Sequence, residues 1–198
     1  VTPKPQIGNP KPRLFRLKKD NALINRMGFN NEGVEKICLR LRKKKSSVII
    51  GGNIGKNKAT PFNKSIDDYK ASFNHLFDYV DYFVLNISSP NTPKLRELQG
   101  KKELEKLIIS VQEINLSKEK QKPILIKISP DLNNFQLDDV INLVEKYNIS
   151  GIVATNSTNS RNNLREKNQR INKIGNGGLT GKPINTLSTN VISYIHKK

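Results

Sequence analysis

The chain has 198 residues, 26% charged and 35% hydrophobic, and its 35 Lys and Arg against 17 Asp and Glu give a formal net charge of +18. The single cysteine, Cys38, excludes an internal disulfide framework and a cysteine-rich zinc site, which indicates a reducing compartment, and no metal site is predicted from 2 histidines. No run reaches the roughly 18 uninterrupted apolar residues of a membrane-spanning helix, and the first residues lack the apolar segment of a signal peptide.

The positive charge raises the alternative of a basic module that binds nucleic acid. The lysines are scattered along the chain with few aromatic residues among them, and Asn and Ile are abundant as well. All three amino acids have A- and T-rich codons, so base composition explains the bias and no nucleic-acid partner is predicted. The densest cluster, Arg40–Lys45, is predicted to be a solvated helix end, where cations suit the helix dipole; a phosphate or anionic-lipid site is the alternative.

Short apolar runs bounded by turn-forming residues alternate with helical patterns along the chain. The predicted buried strands are 47–54, 80–87, 123–128 and 151–155. Ser65 is predicted to be the N-cap of the first intervening helix. The apolar residues that line one face of the three helices are Tyr69, Phe73, Leu76 and Phe77; Leu104, Leu107, Ile108, Val111 and Ile114; and Leu137, Val140, Ile141 and Val144. This alternation predicts repeated βαβ units with a parallel sheet.

An open doubly wound sheet and a (β/α)8 barrel both fit this alternation of strands and helices. No Gly-x-Gly-x-x-Gly opens a helix after a strand, which disfavours a dinucleotide fold. Polar residues instead follow successive strands: Asn53; Asn86 with Ser88 and Ser89; Lys127; and Thr155 with Asn156. Such residues at the C-terminal ends of strands are typical of a barrel, which needs about 250 residues. With four strands and a fifth unit expected near Gly177, residues 1–198 are predicted to be the central part of one barrel domain, truncated at both ends.

Two polar residues at strand ends stand out. Lys127 interrupts an apolar run in a strand expected to be buried on both faces, where an unpaired ammonium costs several kcal/mol or loses its proton. No acid adjoins it, so a bound ligand is the predicted partner and a structural lysine is the alternative. Ser89 follows the preceding strand within a segment that an ordinary turn would also explain.

The chain resembles the dihydroorotate dehydrogenases. The segments that occur in that family in the same order are Asn25–Asn30, Asn53–Lys58, Asn86–Arg96, Lys127–Leu132, Thr155–Thr158 and Gly177–Pro183, and residues 1–10 also resemble it. Ser89 resembles class 2, the quinone-linked, membrane-associated branch; a Cys there would resemble the soluble class 1. The resemblance implies an FMN-binding (β/α)8 barrel that oxidises (S)-dihydroorotate to orotate in pyrimidine biosynthesis, with a quinone as the final electron acceptor.

The resemblance also implies residue roles. Ser89 is the expected catalytic base, and Thr92 and Phe29 are expected to order the exit of its proton. The expected substrate contacts are Asn25, Arg26, Met27, Gly28, Phe29, Asn86, Asn91, Asn156 and Ser157. The expected FMN contacts are Asn53, Asn86, Lys127, Thr155 and Gly181. Lys127 would stabilise the anionic reduced flavin, and Gly181 is expected to let the backbone approach the cofactor closely.

Some features of the family are missing from the sequence. They are the N-terminal segment that supplies a further substrate Lys, the C-terminal Gly-rich turn that holds the FMN phosphate, and the two N-terminal helices at the quinone entrance. We therefore expect the 198 residues alone neither to hold FMN tightly nor to turn over. Peripheral association with the cytoplasmic face of a bacterial inner membrane is expected through such an N-terminal segment; the mitochondrial inner membrane is the alternative.

The polar stretch 159–176 is long for a βα loop. It is predicted to be a mobile lid over the substrate, with a disordered surface insertion as the alternative.

For the whole protein, the alternative function is that of another FMN-dependent barrel enzyme, one that acts on a different pyrimidine.

Overall fold

The computed structural model describes residues 1–43 and 47–198. Its helices and strands are, in chain order, β1 (Leu14–Leu17), β2 (Ala22–Asn25), α1 (Val34–Leu41), β3 (Gly51–Ile54), α2 (Ser65–Leu76), β4 (Tyr82–Asn86), α3 (Lys101–Leu116), β5 (Ile124–Lys127), α4 (Asn134–Lys146), β6 (Gly151–Val153), α5 (Asn168–Ile174), β7 (Gly178–Gly181) and α6 (Asn185–His196).

Strands β3, β4, β5 and β6 form a parallel sheet in that order. Helices α2, α3 and α4 connect successive strands, which confirms the predicted βαβ units and the α/β class. The strands are shorter than predicted: β3 begins at Gly51 rather than at Ser47. The predicted runs of β4, β5 and β6 also extend one or two residues beyond their strands, at one end or both.

One face of the parallel sheet packs against the helices and forms the main hydrophobic core. Phe83 and Leu85 of β4 and Ile124 and Ile126 of β5 are almost completely buried there. The ring of Phe73 from α2 lies 4.1 Å from that of Phe83. Burial of each such side chain contributes roughly 1.5–3 kcal/mol relative to exposure, so this face holds the strands and helices together.

The opposite face of the sheet is more open, and this corrects one expectation. Side chains alternate along a strand, so the residues between those of the core point the other way. In β5 these are Leu125 and Lys127, both partly exposed. The prediction that Lys127 is buried on both sides of its strand is therefore wrong: its side chain lies on the half-open face.

The start of α2 also differs from the prediction. Ser65 is the first residue of the helix and makes no capping hydrogen bond; its Oγ instead donates to the carbonyl of Phe62, at 2.6 Å. A short 3-10 turn at Phe62–Lys64 leads directly into the helix. By contrast, α4 begins with a capping box, in which Asn133 and Gln136 each accept from the backbone N–H of the other at 3.0 Å.

Strands β1, β2 and β7 form a second, antiparallel sheet in that order. The expectation that a fifth barrel unit begins near Gly177 is therefore wrong, because β7 pairs with β2 and not with β6. Gly178 permits a close approach to the loop that follows β6: a Cβ at this position would fall on the Ser157 hydroxyl and lie 2.8 Å from Ser157 Cβ. Next to it, Leu179 and Thr158 form an isolated antiparallel bridge, so β7 passes directly beside that loop.

The stretch 159–176 contains helix α5 and packs on this second sheet. Ile171 and Ile174 are buried with Ile24 and Leu179 in a small separate core. The Asp20 carboxylate accepts from the backbone N–H of Arg165, at 2.6 Å, and from that of the next residue, at 3.1 Å. The segment is therefore folded, and the alternative of a disordered surface insertion is wrong. Its role as a lid over the substrate stays a prediction.

The predicted cationic helix end is partly described. Helix α1 ends at Leu41, and Arg40 in its last turn is exposed and pairs with Glu32. Arg42 is also exposed, and its Nε donates to the Tyr79 hydroxyl at 2.7 Å. Residues 44 and 45 of the cluster lie outside the described residues.

Candidate active site

The C-terminal ends of β4 and β5 bring two predicted residues side by side. Asn86, the last residue of β4, is in register with Lys127, the last residue of β5. Paired residues of parallel strands point to the same face of a sheet. Asn53 of β3 is in register with Val84, two residues before Asn86. Asn53, Asn86 and Lys127 therefore share the half-open face.

Four predicted asparagines form two hydrogen-bonded pairs around the loop that follows β4. Asn91 Nδ2 donates to Asn25 Oδ1 at 2.9 Å. Asn156 Nδ2 donates to Asn86 Oδ1 at 3.4 Å and to Ser88 Oγ at 3.0 Å. Residues that are up to 70 positions apart in sequence thus converge, and their carboxamides provide both donors and acceptors at one place.

Ser89 lies in the chain between Asn86 and Asn91, one member of each pair, and is buried, with an exposed fraction of 5%. Its Oγ accepts from the backbone N–H of Asn91 at 3.3 Å. Within the described residues, no acceptor receives the proton of this hydroxyl. A backbone donor directed at a hydroxyl oxygen favours negative charge on that oxygen, so Ser89 combines an available oxygen with a donor that stabilises charge.

Thr92 and Phe29 lie near this loop in different environments. The Thr92 hydroxyl is buried and, among the described residues, has no hydrogen-bond partner. A buried hydroxyl without a partner costs about 1–3 kcal/mol, which is typical of a place where a further group is bound. Phe29 has a left-handed backbone with a φ of +53°, and its ring packs against Gly55, where a Cβ would lie 3.0 Å from Phe29 Cε2.

The turn from Arg26 to Phe29 is fixed by contacts with two other segments. Arg26 Nη1 donates to the carbonyl of Ile174, the last residue of α5, at 2.7 Å. Asn9 Nδ2 donates to the carbonyl of Arg26 at 2.9 Å, and its backbone N–H donates to that of Met27 at 3.0 Å. Gly28 has a φ of +71°, and a Cβ there would lie 2.9 Å from the Asn9 side chain. The anchoring role of Asn9 was not predicted.

Lys127 remains a candidate for binding an anion despite its partial exposure. Across residues 1–43 and 47–198, no carboxylate or carbonyl forms a hydrogen bond or ion pair with its Nζ.

Thr155, after β6, donates to the Asn156 carbonyl at 3.1 Å, and its hydroxyl lies 3.1 Å from that of Ser188 in α6. Ser188 was not predicted, because nothing in its helical surroundings indicates a polar contact.

The structure gives a reason for glycine at position 181 that was not predicted from the sequence. The φ of Gly181 is +104°, and a Cβ there would fall on the carbonyl of Asn21 and lie 2.9 Å from Ala22 Cα. The close approach is therefore to the turn between β1 and β2. Contact of Gly181 with a cofactor stays a prediction.

A cavity of about 460 Å³ lies beside the Ser89 loop. Pro90, Arg161 and Gly177 are among its lining residues. Arg161 Nη2 donates to the carbonyl of Gly177 at 2.6 Å, which ties the start of the 159–176 stretch to its end. The cavity thus separates the Ser89 loop from that stretch.

Comparison with known proteins identifies the family. The family model described as "Dihydroorotate dehydrogenase" matches residues 1–198. The chain belongs to the dihydroorotate dehydrogenase family. It is 56% identical over 198 residues to the "Dihydroorotate dehydrogenase (quinone)" of Christiangramia forsetii, covering all of this chain and 57% of that protein. A protein of the same name from Thermosynechococcus vestitus is 47% identical over 205 residues, covering all of this chain and 55% of that protein.

A solved structure agrees with this. The crystal structure of Eimeria tenella DHODH in complex with ferulenol superimposes with a TM-score of 0.89 at 33% identity, covering the whole chain and 58% of that chain. The predicted barrel class is confirmed, and the chain spans about half the length of the curated dihydroorotate dehydrogenases that it matches. In the described part of the chain, no helix combines the length and apolar character needed to cross a bilayer.

Sequence reasoning missed an ion pair within the family's own segments. Arg96 Nη1 lies 2.7 Å from Asp131 Oδ2. Loss of solvent raises the pKa of Asp131, but its hydrogen bonds and the ion pair together outweigh this and hold the pKa below its usual value of 3.8. The two residues are 35 positions apart on different loops, so no local pattern connects them.

Proposed function

We propose that the chain is the central part of a class 2 dihydroorotate dehydrogenase. Such a protein oxidises (S)-dihydroorotate to orotate, with FMN as the hydride acceptor and a quinone as the final electron acceptor. The observation that carries this proposal is the buried Ser89 in the loop after β4, between Asn86 and Asn91 in the chain, each of which belongs to one of the two hydrogen-bonded asparagine pairs.

The asparagine pairs support recognition of a pyrimidine ring. Orotate carries ring amide donors and acceptors, and each carboxamide offers two donors and one acceptor. In the structure, Asn91 donates a hydrogen bond to the side-chain oxygen of Asn25, and Asn156 donates one to that of Asn86. On binding, these side chains exchange their mutual hydrogen bonds for bonds to the ring, so no buried amide is left unpaired. Ser157 and the 26–29 turn complete the proposed substrate contacts.

Ser89 is the proposed base that removes the ring proton of dihydroorotate. A hydroxyl is a weak base in water and serves only when it is positioned over the acidic carbon. Burial excludes competing water, and the Asn91 N–H stabilises charge on Oγ. The Thr92 hydroxyl, which has no partner among the described residues, is suited to pass the proton onwards, and the Phe29 ring is suited to shield that path.

The half-open face fits an anionic cofactor edge. The FMN ring, when bound, supplies the two-electron acceptor for the hydride. Lys127 would hold the negative charge of its reduced form, because no described residue neutralises that ammonium. Asn53 and Asn86 share the face with Lys127, and Thr155 and Gly181 are the remaining proposed contacts.

The proposed quinone acceptor and membrane association are based on the relatives of this chain. The curated proteins named above carry "(quinone)" in their names and come from bacteria. We propose a peripheral protein on the cytoplasmic face of the bacterial inner membrane, attached through a segment outside these 198 residues. Neither a different pyrimidine substrate nor a nucleic-acid partner is favoured by a specific contact.

The test is flavin reduction by dihydroorotate in the full-length protein without oxygen, followed by reoxidation with a quinone. Ser89→Ala should slow flavin reduction by about 10²–10⁴-fold, the usual contribution of a positioned base. Ser72→Ala is the matched control, because Ser72 is equally buried but lies in α2, outside the site. A wild-type protein that does not reduce its flavin with dihydroorotate would overturn the function; an unchanged rate in Ser89→Ala would overturn the assignment of the base.

A further inference from the structure

We propose that Arg96 is a positioning residue that holds Ser89 and the substrate-binding loop after β6 in one fixed arrangement. The inference rests on the proposed function and adds a residue to its site. Arg96 touches neither reacting group in this account; it acts through the backbone of the two loops that carry them.

The guanidinium of Arg96 contacts two loops at once. Its Nε donates to the carbonyl of Ser88, the residue immediately before Ser89, at 3.0 Å. Its Nη2 donates to the carbonyl of Ser157, at 2.8 Å. One planar group therefore joins the loop that follows β4 to the loop that follows β6.

The third contact of the guanidinium is with Asp131, which lies in the loop after β5. Its Oδ2 pairs with Arg96 Nη1 at 2.7 Å and accepts from the backbone N–H of Asn159 at 3.0 Å. Its Oδ1 accepts from the Thr158 hydroxyl. Side-chain exposure is 21% for Arg96 and 28% for Asp131, so water screens the pair less than an ion pair on the open surface.

Ser89 depends on this support because its own contacts are local. Among residues 1–43 and 47–198, its Oγ has one hydrogen-bond partner, the N–H of Asn91, two residues along the same loop. The hydrogen bond from Arg96 restrains the carbonyl of the peptide between Ser88 and Ser89, whereas the bond from Asn156 reaches only the Ser88 side chain. Loss of the Arg96 bond removes that restraint on the peptide plane, and a misplacement of about 1 Å is enough to cost a reaction about 100-fold in rate.

A lysine cannot replace this arrangement. The guanidinium has donors in a rigid plane that serve two carbonyls and a carboxylate together, whereas an ammonium is a point charge on a flexible chain. Arg96→Lys therefore retains the pairing with Asp131 but loses at least one carbonyl.

The experiment compares Arg96→Gln and Arg96→Lys with wild type in the full-length, flavin-loaded protein. Single-turnover flavin reduction by dihydroorotate reports the chemical step, and orotate titration of the flavin absorbance reports binding. We expect flavin reduction to fall by about 100-fold in Arg96→Gln and about 10-fold in Arg96→Lys, with a smaller loss of orotate affinity. Lys122→Gln is the matched control, because the cationic side chain of Lys122 also donates to two backbone carbonyls, those of Phe77 and Val80, but at the N-terminal ends of β4 and β5, away from the site.

Several outcomes separate positioning from a general role in folding. Flavin reduction within twofold of wild type in Arg96→Gln would overturn the proposal. So would a loss in Arg96→Gln that only follows the loss of bound flavin. If Arg96→Gln does not fold, Arg96→Lys decides, and a wild-type rate in that variant overturns the proposal. Failure of wild type itself to reduce flavin with dihydroorotate would instead refute the proposed function.

Discussion

The unpaired hydroxyl of Thr92 allows stability and catalysis to be separated by one substitution. Thr92→Val has nearly the same shape and removes only the hydroxyl, which is buried without a partner among the described residues. An unsatisfied buried hydroxyl costs about 1–3 kcal/mol, so its removal should leave the free energy of unfolding unchanged or raise it by about 1 kcal/mol. Flavin reduction should nevertheless become slower, because the proposed path for the Ser89 proton loses its next hydroxyl.

Ser72 provides the internal comparison. Its Oγ is the other buried hydroxyl without a partner in the described residues, and Ser72→Ala should also raise stability, since Ala is the better helix former. Urea unfolding of the full-length protein measures both free energies, and stopped-flow absorbance measures flavin reduction. The reasoning is refuted if Thr92→Val lowers the free energy of unfolding by more than 1 kcal/mol, or if it reduces flavin as fast as Ser72→Ala.

Three further predictions concern the surroundings of the site. Gly178→Ala should lower stability by about 1–3 kcal/mol and weaken orotate binding, because its Cβ would lie 2.8 Å from Ser157 Cβ; thermal unfolding and orotate titration check both effects. Asn133→Ala should cost about 1 kcal/mol through the lost capping box, and equal urea midpoints would contradict this. Folding lowers the pKa of Asp131 from 3.8, so its contribution is complete above that pH and is lost as pH falls through the lowered value. Asp131→Asn should therefore reduce the acid dependence of stability, which unfolding from pH 6 down to about pH 2 would measure.

Periodicity made the central fold predictable. The apolar spacing of residues such as Phe73 and Leu104 identified α2 and α3, and the apolar runs identified β3 to β6, because a parallel sheet covered by helices needs both patterns. The same reasoning failed for Lys127, since the sequence of β5 does not show that one face of the sheet is left half open. The expectation of a fifth barrel unit near Gly177 also failed, because the strand there, β7, pairs with β2, a partner 153 or more positions away that no local pattern identifies.

The site was predictable where family segments carry it, and not where distant loops meet. The segments around Asn86 and Asn156 indicated which residues converge, whereas their division into two hydrogen-bonded pairs follows only from three-dimensional geometry. Arg96 and Asp131 lie in family segments too. From the sequence alone, however, an arginine in a loop is interpreted as a solvent-exposed charge, and its three partners are known only from the structure. Asn9 was missed because its hydrogen bonds are with the backbone, which no side-chain pattern reveals.

The most direct test of the account is a crystal structure of the full-length protein with FMN and orotate bound. We predict that Ser89 Oγ faces the orotate ring, that Asn25, Asn86, Asn91 and Asn156 have exchanged their mutual hydrogen bonds for bonds to that ring, and that Lys127 Nζ contacts the flavin. The account is contradicted if Ser89 and Lys127 point to opposite sides of the parallel sheet, or if orotate binds away from the four asparagines.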